Sequence, residues 1–214
     1  MTKYKAQNMP KLHSPFVREL DENENYVVKD EINEGYEWVF QDDSVMAVEK
    51  LDGTNVSIVI EDGEIVEVWN RMNRIPFFSK HGAFIMKGLI NSYSKGYMDD
   101  LEDGQHFGEL VGPSPKWREN KYDLDQRLWI PFSTYCQNKL VYHSWGKYPK
   151  TYESISKWFK EDLIPLFYAK THRMKYDTAR EEGYVEGVVF THPDGRMAKL
   201  RKDMFPFFYE DDYR

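Results

Sequence analysis

The sequence predicts an α+β fold that is built on antiparallel sheets. Residues 55–60 and 64–69 are rich in β-branched side chains, and Glu61-Asp62-Gly63 joins them with an Asp-Gly turn typical of hairpins. Residues 185–192 and 196–201 form a second such pair across Pro193-Asp194-Gly195. Strands outnumber the segments with helical spacing, which favours antiparallel sheets with helices inserted between them.

The remaining elements follow in chain order. The first 35 residues show no sustained period, which indicates turns and short pieces of structure. Further strands are predicted at residues 45–48, 106–111, 127–132 and 139–143. Helical spacing predicts helices over residues 78–93 and from 151 to about 167, and Pro165 is expected to bend or end the second one.

The length and composition predict a folded core. The chain has 214 residues, of which 41% are hydrophobic and 16% aromatic. It is therefore long and apolar enough to form one large core, and disorder is not expected. We predict one domain over residues 36–214, with residues 1–35 as an N-terminal extension packed on it.

Composition also narrows the function classes. No apolar run exceeds four residues, so a membrane span and a secretion signal are not expected. The single cysteine, Cys136, excludes an internal disulfide and fits a reducing cytoplasm. The net charge of −7 means that a nucleic-acid partner needs a local basic groove. The six histidines lack metal-ligand spacing, and no Ser/His/Asp set is evident.

A lysine at the end of an apolar strand is the first candidate for chemistry. In Glu-Lys-Leu-Asp-Gly-Thr-Asn, Lys50 lies between two core-forming segments and must therefore face something polar, such as a cleft. Alone, this pattern is more typical of a surface lysine at a hairpin. Four later segments change that balance: Arg71 and Arg74 after a strand, Glu109 in Phe-Gly-Glu-Leu-Val-Gly, Glu186 in Val-Glu-Gly-Val-Val-Phe, and the cations of Ala-Lys-Leu-Arg-Lys.

This ordered series resembles the covalent nucleotidyltransferase superfamily of ATP-dependent polynucleotide ligases and capping enzymes. Its marks are a Lys-x-x-Gly nucleophile motif, a downstream Arg, two Glu motifs and a terminal Lys-x-Lys motif. Within it, the continuation of the first motif into Thr-Asn is most similar to the nick-sealing RNA ligase branch. The resemblance implies an antiparallel nucleotidyltransferase core and an enzyme that joins a 3′-hydroxyl to a 5′-phosphate.

The resemblance implies the following chemistry. The Lys50 amine attacks the α-phosphate of ATP and becomes covalently bound to AMP, with Mg²⁺ or Mn²⁺ as the metal. Lys199, Arg201, partial burial and the metal are expected to lower the pKa of Lys50, because an ammonium is disfavoured by desolvation and by like charge. Lys50, Lys199, Arg201 and Arg71 are therefore the predicted catalytic residues.

The nucleotide contacts are carried over in the same way. Glu109 is expected to accept hydrogen bonds from the ribose, and Glu186 to hold the metal directly or through water. Phe132 takes the position of an aromatic that stacks on the purine, although an ordinary core aromatic is an equal reading. Asn55 is expected to contact phosphate or metal in the later steps, Arg71 to contact phosphate or the nucleic-acid end, and Glu49 belongs to the same predicted cofactor set.

Two departures leave alternatives open. Asp52 stands where the RNA ligase branch often has His, and Arg201 replaces the second lysine of Lys-x-Lys, with Lys202 as a partial substitute. Only 12 residues follow Lys202, so no OB domain of the DNA ligase kind is expected. An RNA ligase is favoured over a minimal DNA or mixed-polynucleotide ligase, a capping-type guanylyltransferase and a non-catalytic nucleotide-binding module.

The expected partners are strand ends of RNA or DNA, in a nicked duplex or a broken RNA, and the expected setting is RNA repair by a cytoplasmic monomer. Local cations are the expected substrate contacts. These are Lys80, Lys87, Lys116 and Arg118, with Trp117 as a stacking face.

Overall fold

Antiparallel pairing organises the chain, as the sequence predicted. The computed structural model describes residues 3–113, 119–134, 140–143, 147–210 and 213. The strands are β1 (Phe16–Leu20), β2 (Tyr26–Ile32), β3 (Met46–Lys50), β4 (Thr54–Glu61), β5 (Glu64–Asn70), β6 (Gly104–Val111), β7 (Leu128–Pro131), β8 (Val141–His143), β9 (Gly187–Thr191) and β10 (Met197–Arg201). The α-helices are α1 (Trp38–Gln41), α2 (Lys80–Tyr93), α3 (Tyr152–Lys157), α4 (Leu166–His172) and α5 (Tyr176–Glu182). All strand pairs among the described residues are antiparallel, which confirms the α+β class.

The backbone divides into two compact units. The first comprises residues 1–10 and 51–138, and the second comprises residues 11–50 and 139–214. Each contains a four-stranded sheet, in the order β5-β4-β6-β7 in the first unit and β10-β9-β3-β8 in the second. The domain boundary expected at residue 36 stays a prediction.

Helix α2 covers one face of the sheet in the first unit. The Ser79 hydroxyl caps its start by accepting a hydrogen bond from the Gly82 N–H at 2.9 Å. Ile85 and Leu89 point inward and join a buried cluster with Leu110 on β6. Apolar residues at helical spacing thus meet an alternating strand, which explains why the predicted helix over 78–93 forms.

The second unit buries one face of its sheet in a larger aromatic core. Ala47 on β3, Phe190 on β9 and Leu200 on β10 are fully buried in the same cluster. The hairpin β1–β2 joins this cluster through Phe16 and Val28. These strands therefore bury every second side chain in the core, and the alternate side chains project from the opposite face of the sheet.

The β1–β2 hairpin was not predicted from the sequence. Its signal is the Asp-Glu-Asn-Glu-Asn run, which closes the turn: the Asp21 carboxylate accepts hydrogen bonds from the N–H groups of Asn23 and Asn25, and Glu24 has φ +62°. The short flanking strands lack a long alternating pattern, so the turn residues were the only available indication.

The second predicted helix is shorter than expected. Helix α3 begins at the Thr151 cap, continues as a π-helical turn over Trp158–Asp162, and ends there. Pro165 then stands at the start of α4. The prediction of one helix to about residue 167 was wrong in its length, whereas the expected end near Pro165 is confirmed. A proline disfavours helical backbone at the preceding residue as well. Among the described residues, no helix is long and apolar enough to span a membrane.

Gly187 occupies a position where only glycine fits. A Cβ built on it would lie 2.1 Å from the Leu200 carbonyl oxygen of the neighbouring strand. The obstacle is backbone, so strand spacing must change to admit a methyl group. Gly88 differs, because a Cβ there would meet the side chains of Leu110 and Arg127, which can rotate.

We expect Gly187→Ala to lower the free energy of unfolding by about 1–3 kcal/mol, as overpacking does. Gly88→Ala is the matched substitution and should cost less, because side chains yield and alanine favours a helix by about 1 kcal/mol over glycine. Urea unfolding followed by circular dichroism measures both. Equal losses for the two variants would contradict the backbone clash.

Candidate functional site

Strand register in the second unit brings Lys50 and Arg201 to one row of the sheet. Lys50 on β3 and Arg201 on β10 both pair with Gly187 on β9, which lies between them. Directly paired residues project from the same face, and Gly187 contributes no side chain there. Lys199, two residues before Arg201, projects to the same face. We call Lys50, Glu186, Lys199 and Arg201 the lysine face.

Glu186 connects the cations of this face. Its Oε2 lies 2.5 Å from the Lys50 Nζ, and its Oε1 lies 3.8 Å from a terminal nitrogen of Arg201. The Glu186 carbonyl accepts a hydrogen bond from the Lys202 N–H at 2.9 Å, which continues the pairing past the strand end. The side chains of Lys50 and Glu186 are 21% and 13% exposed. The predicted nucleophile and the predicted metal ligand are therefore an ion pair that is shielded from much of the solvent.

The other cations near this face differ in their surroundings. Arg201 also contacts the Asp203 carboxylate at 3.0 Å. Burial lowers the pKa of Lys202, the residue that was considered a partial substitute in the terminal motif. The second unit thus brings Lys50, Glu186 and Arg201 into contact range and places Lys199 on the same face, whereas their catalytic roles stay a prediction.

Glu49 lies on the opposite side of the strand from Lys50. It pairs with Val188, whose side chain is in the core, and Glu49 itself is fully buried. Its Oε2 accepts a hydrogen bond from the Phe167 N–H at 2.8 Å, near the start of α4. The Glu49 carboxylate is therefore not on the lysine face. Its burial does not support the expected cofactor contact, which stays a prediction.

Burial dominates the ionisation of Glu49. Desolvation raises its pKa to about 8, against the opposing effect of the N–H groups of Phe167 and Leu166. The Tyr142 ring packs against the aromatic core cluster of the second unit. Burial together with the charge of Glu49 raises the pKa of Tyr142 as well. Within the described residues, Glu49 Oε1 and the Tyr142 hydroxyl are buried without a hydrogen-bond partner.

The first unit places three further predicted residues at one end of its sheet. Asn55 on β4 pairs directly with Glu109 on β6. Arg71 follows Asn70, whose partner Val56 is the neighbour of Asn55. Arg71 is exposed in a turn that the Asn70 side chain closes by accepting hydrogen bonds from Met72 and Asn73. The strand pairing explains why residues so far apart in sequence share this end.

Phe132 and Gly53 belong to the same unit. Phe132 directly follows β7, whose Ile130 pairs with Glu109, and it is half-buried. A Cβ on Gly53 would lie 2.4 Å from the Leu110 carbonyl oxygen and 2.8 Å from the Glu109 Cγ. The glycine of the Lys-x-x-Gly pattern is thus required by the close approach of β6, which its sequence position alone did not reveal.

Sequence reasoning missed two sets of partners in this unit. The Asp52 carboxylate is 2.8 Å from the Lys121 Nζ, and its N–H donates to the Tyr122 hydroxyl at 2.6 Å. The segment near the N-terminus contacts Asn55, whose Nδ2 lies 2.9 Å from the Met9 sulfur. Separations of about 70 and 46 residues leave no local signal for either contact.

Two predicted substrate contacts are described, and three are not. Lys80 and Lys87 are exposed on α2. Lys116, Trp117 and Arg118 lie outside the described residues.

The donor set on the lysine face fits a weakly held hard cation. Among the described residues, no group of three or more His, Cys, Asp or Glu side chains is placed to hold a metal. Mg²⁺ is commonly bound by one or two carboxylates together with water and substrate phosphates. A single Glu186 carboxylate therefore fits a metal that arrives with a phosphate ligand, and it does not fit a metal held by protein alone.

We expect the stability of the protein to depend on pH through Glu49. Its raised pKa means that the folded state holds the proton more tightly than the unfolded state, whose carboxyl pKa is near ~4.3. Stability from this group is therefore fully present below about pH 4 and is lost as pH rises to about 8. The loss is at most about 1.4 kcal/mol per pH unit.

Urea unfolding of the protein and of Glu49→Gln at pH 5.5, 7 and 8.5 measures this effect. The glutamine keeps an acceptor for the Phe167 N–H but cannot ionise, so the stability of the variant relative to the original should increase with pH. A constant difference over that range would show that the proton is not held.

Comparisons with known proteins show which family this chain is similar to. The RNA ligase family model matches residues 43–205, about three quarters of the chain. An apo structure of a variant of Naegleria gruberi RNA ligase is similar to the whole chain, with 14% identity, a TM-score of 0.52 and 65% of that protein covered. No curated protein sequence matches this chain.

Two further structures of the same ligase are similar to this chain. The one with pyrophosphate has 14% identity and a TM-score of 0.48, and it matches all of this chain and 65% of the ligase. The one with ATP and Mn has 15% identity and a TM-score of 0.48, and it matches 94% of this chain and 62% of the ligase. The chain thus spans less than two thirds of the ligase it resembles. The match to the family model over most of the sequence, with the same class of fold, places this chain in the RNA ligase family.

Proposed function

We propose that this protein is an ATP-dependent RNA ligase that joins a 3′-hydroxyl to a 5′-phosphate, with Lys50 as the nucleophile. Membership of the RNA ligase family supports the reaction class. The observation that carries the residue assignment is the lysine face, where Lys50 contacts Glu186 and shares a row with Arg201.

The proposed reaction has three steps. The Lys50 amine attacks the α-phosphorus of ATP, so that an N–P bond forms, pyrophosphate leaves and the nitrogen loses a proton. An oxygen of the RNA 5′-phosphate then attacks the same phosphorus, which breaks the N–P bond, and the lysine nitrogen takes up a proton and leaves as the free amine. The 3′-hydroxyl finally attacks the activated 5′-phosphate, loses its proton and displaces AMP.

The side chains of the lysine face suit the first step. An ammonium has no lone pair, so Lys50 must give up a proton before it can attack. The contact with Glu186 holds the Lys50 side chain at a defined place on the sheet before the nucleotide binds. Lys199 and Arg201 supply positive charge on the same face, where negative charge develops on the phosphate oxygens.

Glu186 would hold a divalent cation, which neutralises phosphate charge when it is bound. Glu109, Asn55, Arg71 and Phe132 keep the roles that the family resemblance gives them, as contacts to ribose, phosphate, strand end and purine.

The first experiment is covalent labelling. We expect the protein to take up acid-labile label from α-labelled ATP with Mg²⁺, and Lys50→Arg to take up none. Arginine keeps the positive charge opposite Glu186 but remains protonated and cannot attack.

Lys157→Arg is the matched control, because Lys157 is an exposed lysine on α3 of the same unit and is not part of the lysine face. It should keep the label. Label from GTP alone would indicate a capping-type enzyme. Absence of label from either nucleotide in folded protein would overturn the nucleophile assignment. Sealing of a nicked or broken RNA by the labelled protein then tests the ligase reaction.

A second experiment tests the metal ligand. Glu186→Gln keeps the size of the side chain and an acceptor for Lys50, but it removes the charge that binds a hard cation. We expect labelling to fall at least about 10-fold and to need a higher metal concentration. A titration of Mg²⁺ and Mn²⁺ against the labelling rate measures both effects. Glu161→Gln, at an exposed carboxylate of the same unit, should leave the titration unchanged.

A further inference from the structure

Positive charge is concentrated in one stretch of this acidic chain. No Asp or Glu occurs between Glu67 and Asp99, whereas the whole chain carries a net charge of −7. The cations in this stretch are Arg71, Arg74, Lys80, Lys87 and Lys95. The stretch lies entirely within the first unit. Its charge pattern meets the requirement for a local basic surface that the acidic composition imposes on a nucleic-acid partner.

Helix α2 displays two of these cations along one solvent-facing stripe. Lys80, Ala83, Lys87 and Ile90 are exposed, while Ile85 and Leu89 on the opposite face are buried. The helix rises 1.5 Å per residue, so Lys80 and Lys87 are separated by about 10 Å along its axis. Lys80 and Lys87 can therefore contact two phosphates of one nucleic-acid strand at the same time, with α2 straight.

A fully exposed aromatic ring precedes this helix. Phe78 has no shielding from solvent, and Met72 is 64% exposed. The backbone before the helix is closely packed, because a Cβ on Gly82 would lie 2.1 Å from the Pro76 carbonyl oxygen. Phe77 packs on the core cluster. The packing of its neighbours thus holds the Phe78 ring outward. The exposure of this apolar ring to water is unfavourable, and packing among the described residues of this unit does not explain it.

The cations of this surface are largely available for a ligand. Across the described residues, Arg71, Lys80 and Lys87 form no ion pair, whereas Arg74 is 3.3 Å from the Glu67 carboxylate. Exposed cations beside an aromatic face are the combination that binds single strands, since phosphates meet the cations and any base can stack on the ring.

We propose that Arg71, Met72, Phe78, Lys80 and Lys87 form a basic surface that binds an unpaired RNA strand. The proposal rests on the proposed function in taking RNA as the ligand. Lys80 and Lys87 contact phosphates, and Phe78 stacks on a base. Apart from Arg71, which the proposed function already assigns to the strand end, the surface lies outside the motifs that carry Lys50 and Glu186. RNA binding can therefore be measured without ATP and without any reaction.

Fluorescence anisotropy of an end-labelled single-stranded RNA of about 20 nucleotides, titrated with the full chain without ATP, tests this surface. Lys80→Glu/Lys87→Glu should weaken binding at least 10-fold and reduce the slope of log K against log salt by about 1.4. Phe78→Ala should weaken binding about 5- to 10-fold. The loss for Phe78→Ala should be smaller with a fully paired duplex, where no base is free to stack.

Lys157→Glu/Lys175→Glu is the matched control, because it changes the charge equally at two exposed lysines of the second unit. It should retain most of the binding, and circular dichroism confirms folding of every variant. Equal losses for the two charge reversals would overturn the surface, as would unchanged binding by Phe78→Ala. RNA binding that depends on this surface in a protein whose Lys50 takes no label would support the surface and reject the proposed function.

Discussion

The pairing of β3, β9 and β10 at Gly187 is the constraint on which the candidate site depends. Lys50 and Arg201 belong to segments about 150 residues apart, and they share a row because both pair with this glycine. A side chain at position 187 would collide with the backbone of β10. The close spacing of β9 and β10 at this point therefore depends on the absence of a side chain at position 187.

The two sides of β3 serve opposite physical needs. Lys50 faces a partly solvated surface where its charge is paired, while Glu49 is fully buried and bonded to the backbone of α4. Burying a carboxyl group is costly unless it is protonated or well paired. The hydrogen bond from the Phe167 N–H offsets part of that cost and fixes α4 to the residue that precedes Lys50.

The two units distribute charge and chemistry differently. The second unit gathers Lys50, Glu186, Lys199 and Arg201 on one sheet face. The first unit carries a polar row, Asn55 and Glu109, at one end of its sheet and an acid-free stretch around α2. An acidic chain attracts a polyanion most strongly where its own carboxylates are absent. The local arrangement of charges is therefore more important for such binding than the net charge of the chain.

The sequence by itself determined the antiparallel hairpins, helix α2 and the order of the chemical motifs, because turn residues and side-chain period are local properties. It did not reveal the β1–β2 hairpin, because β2 does not alternate between buried and exposed side chains. Tertiary structure alone decided that the Glu49 side of β3 is the buried one, that Gly53 lies close to Leu110, and that Asp52 contacts Lys121 and Tyr122. These are consequences of strand register and of contacts between distant segments, and no local pattern in the chain encodes them.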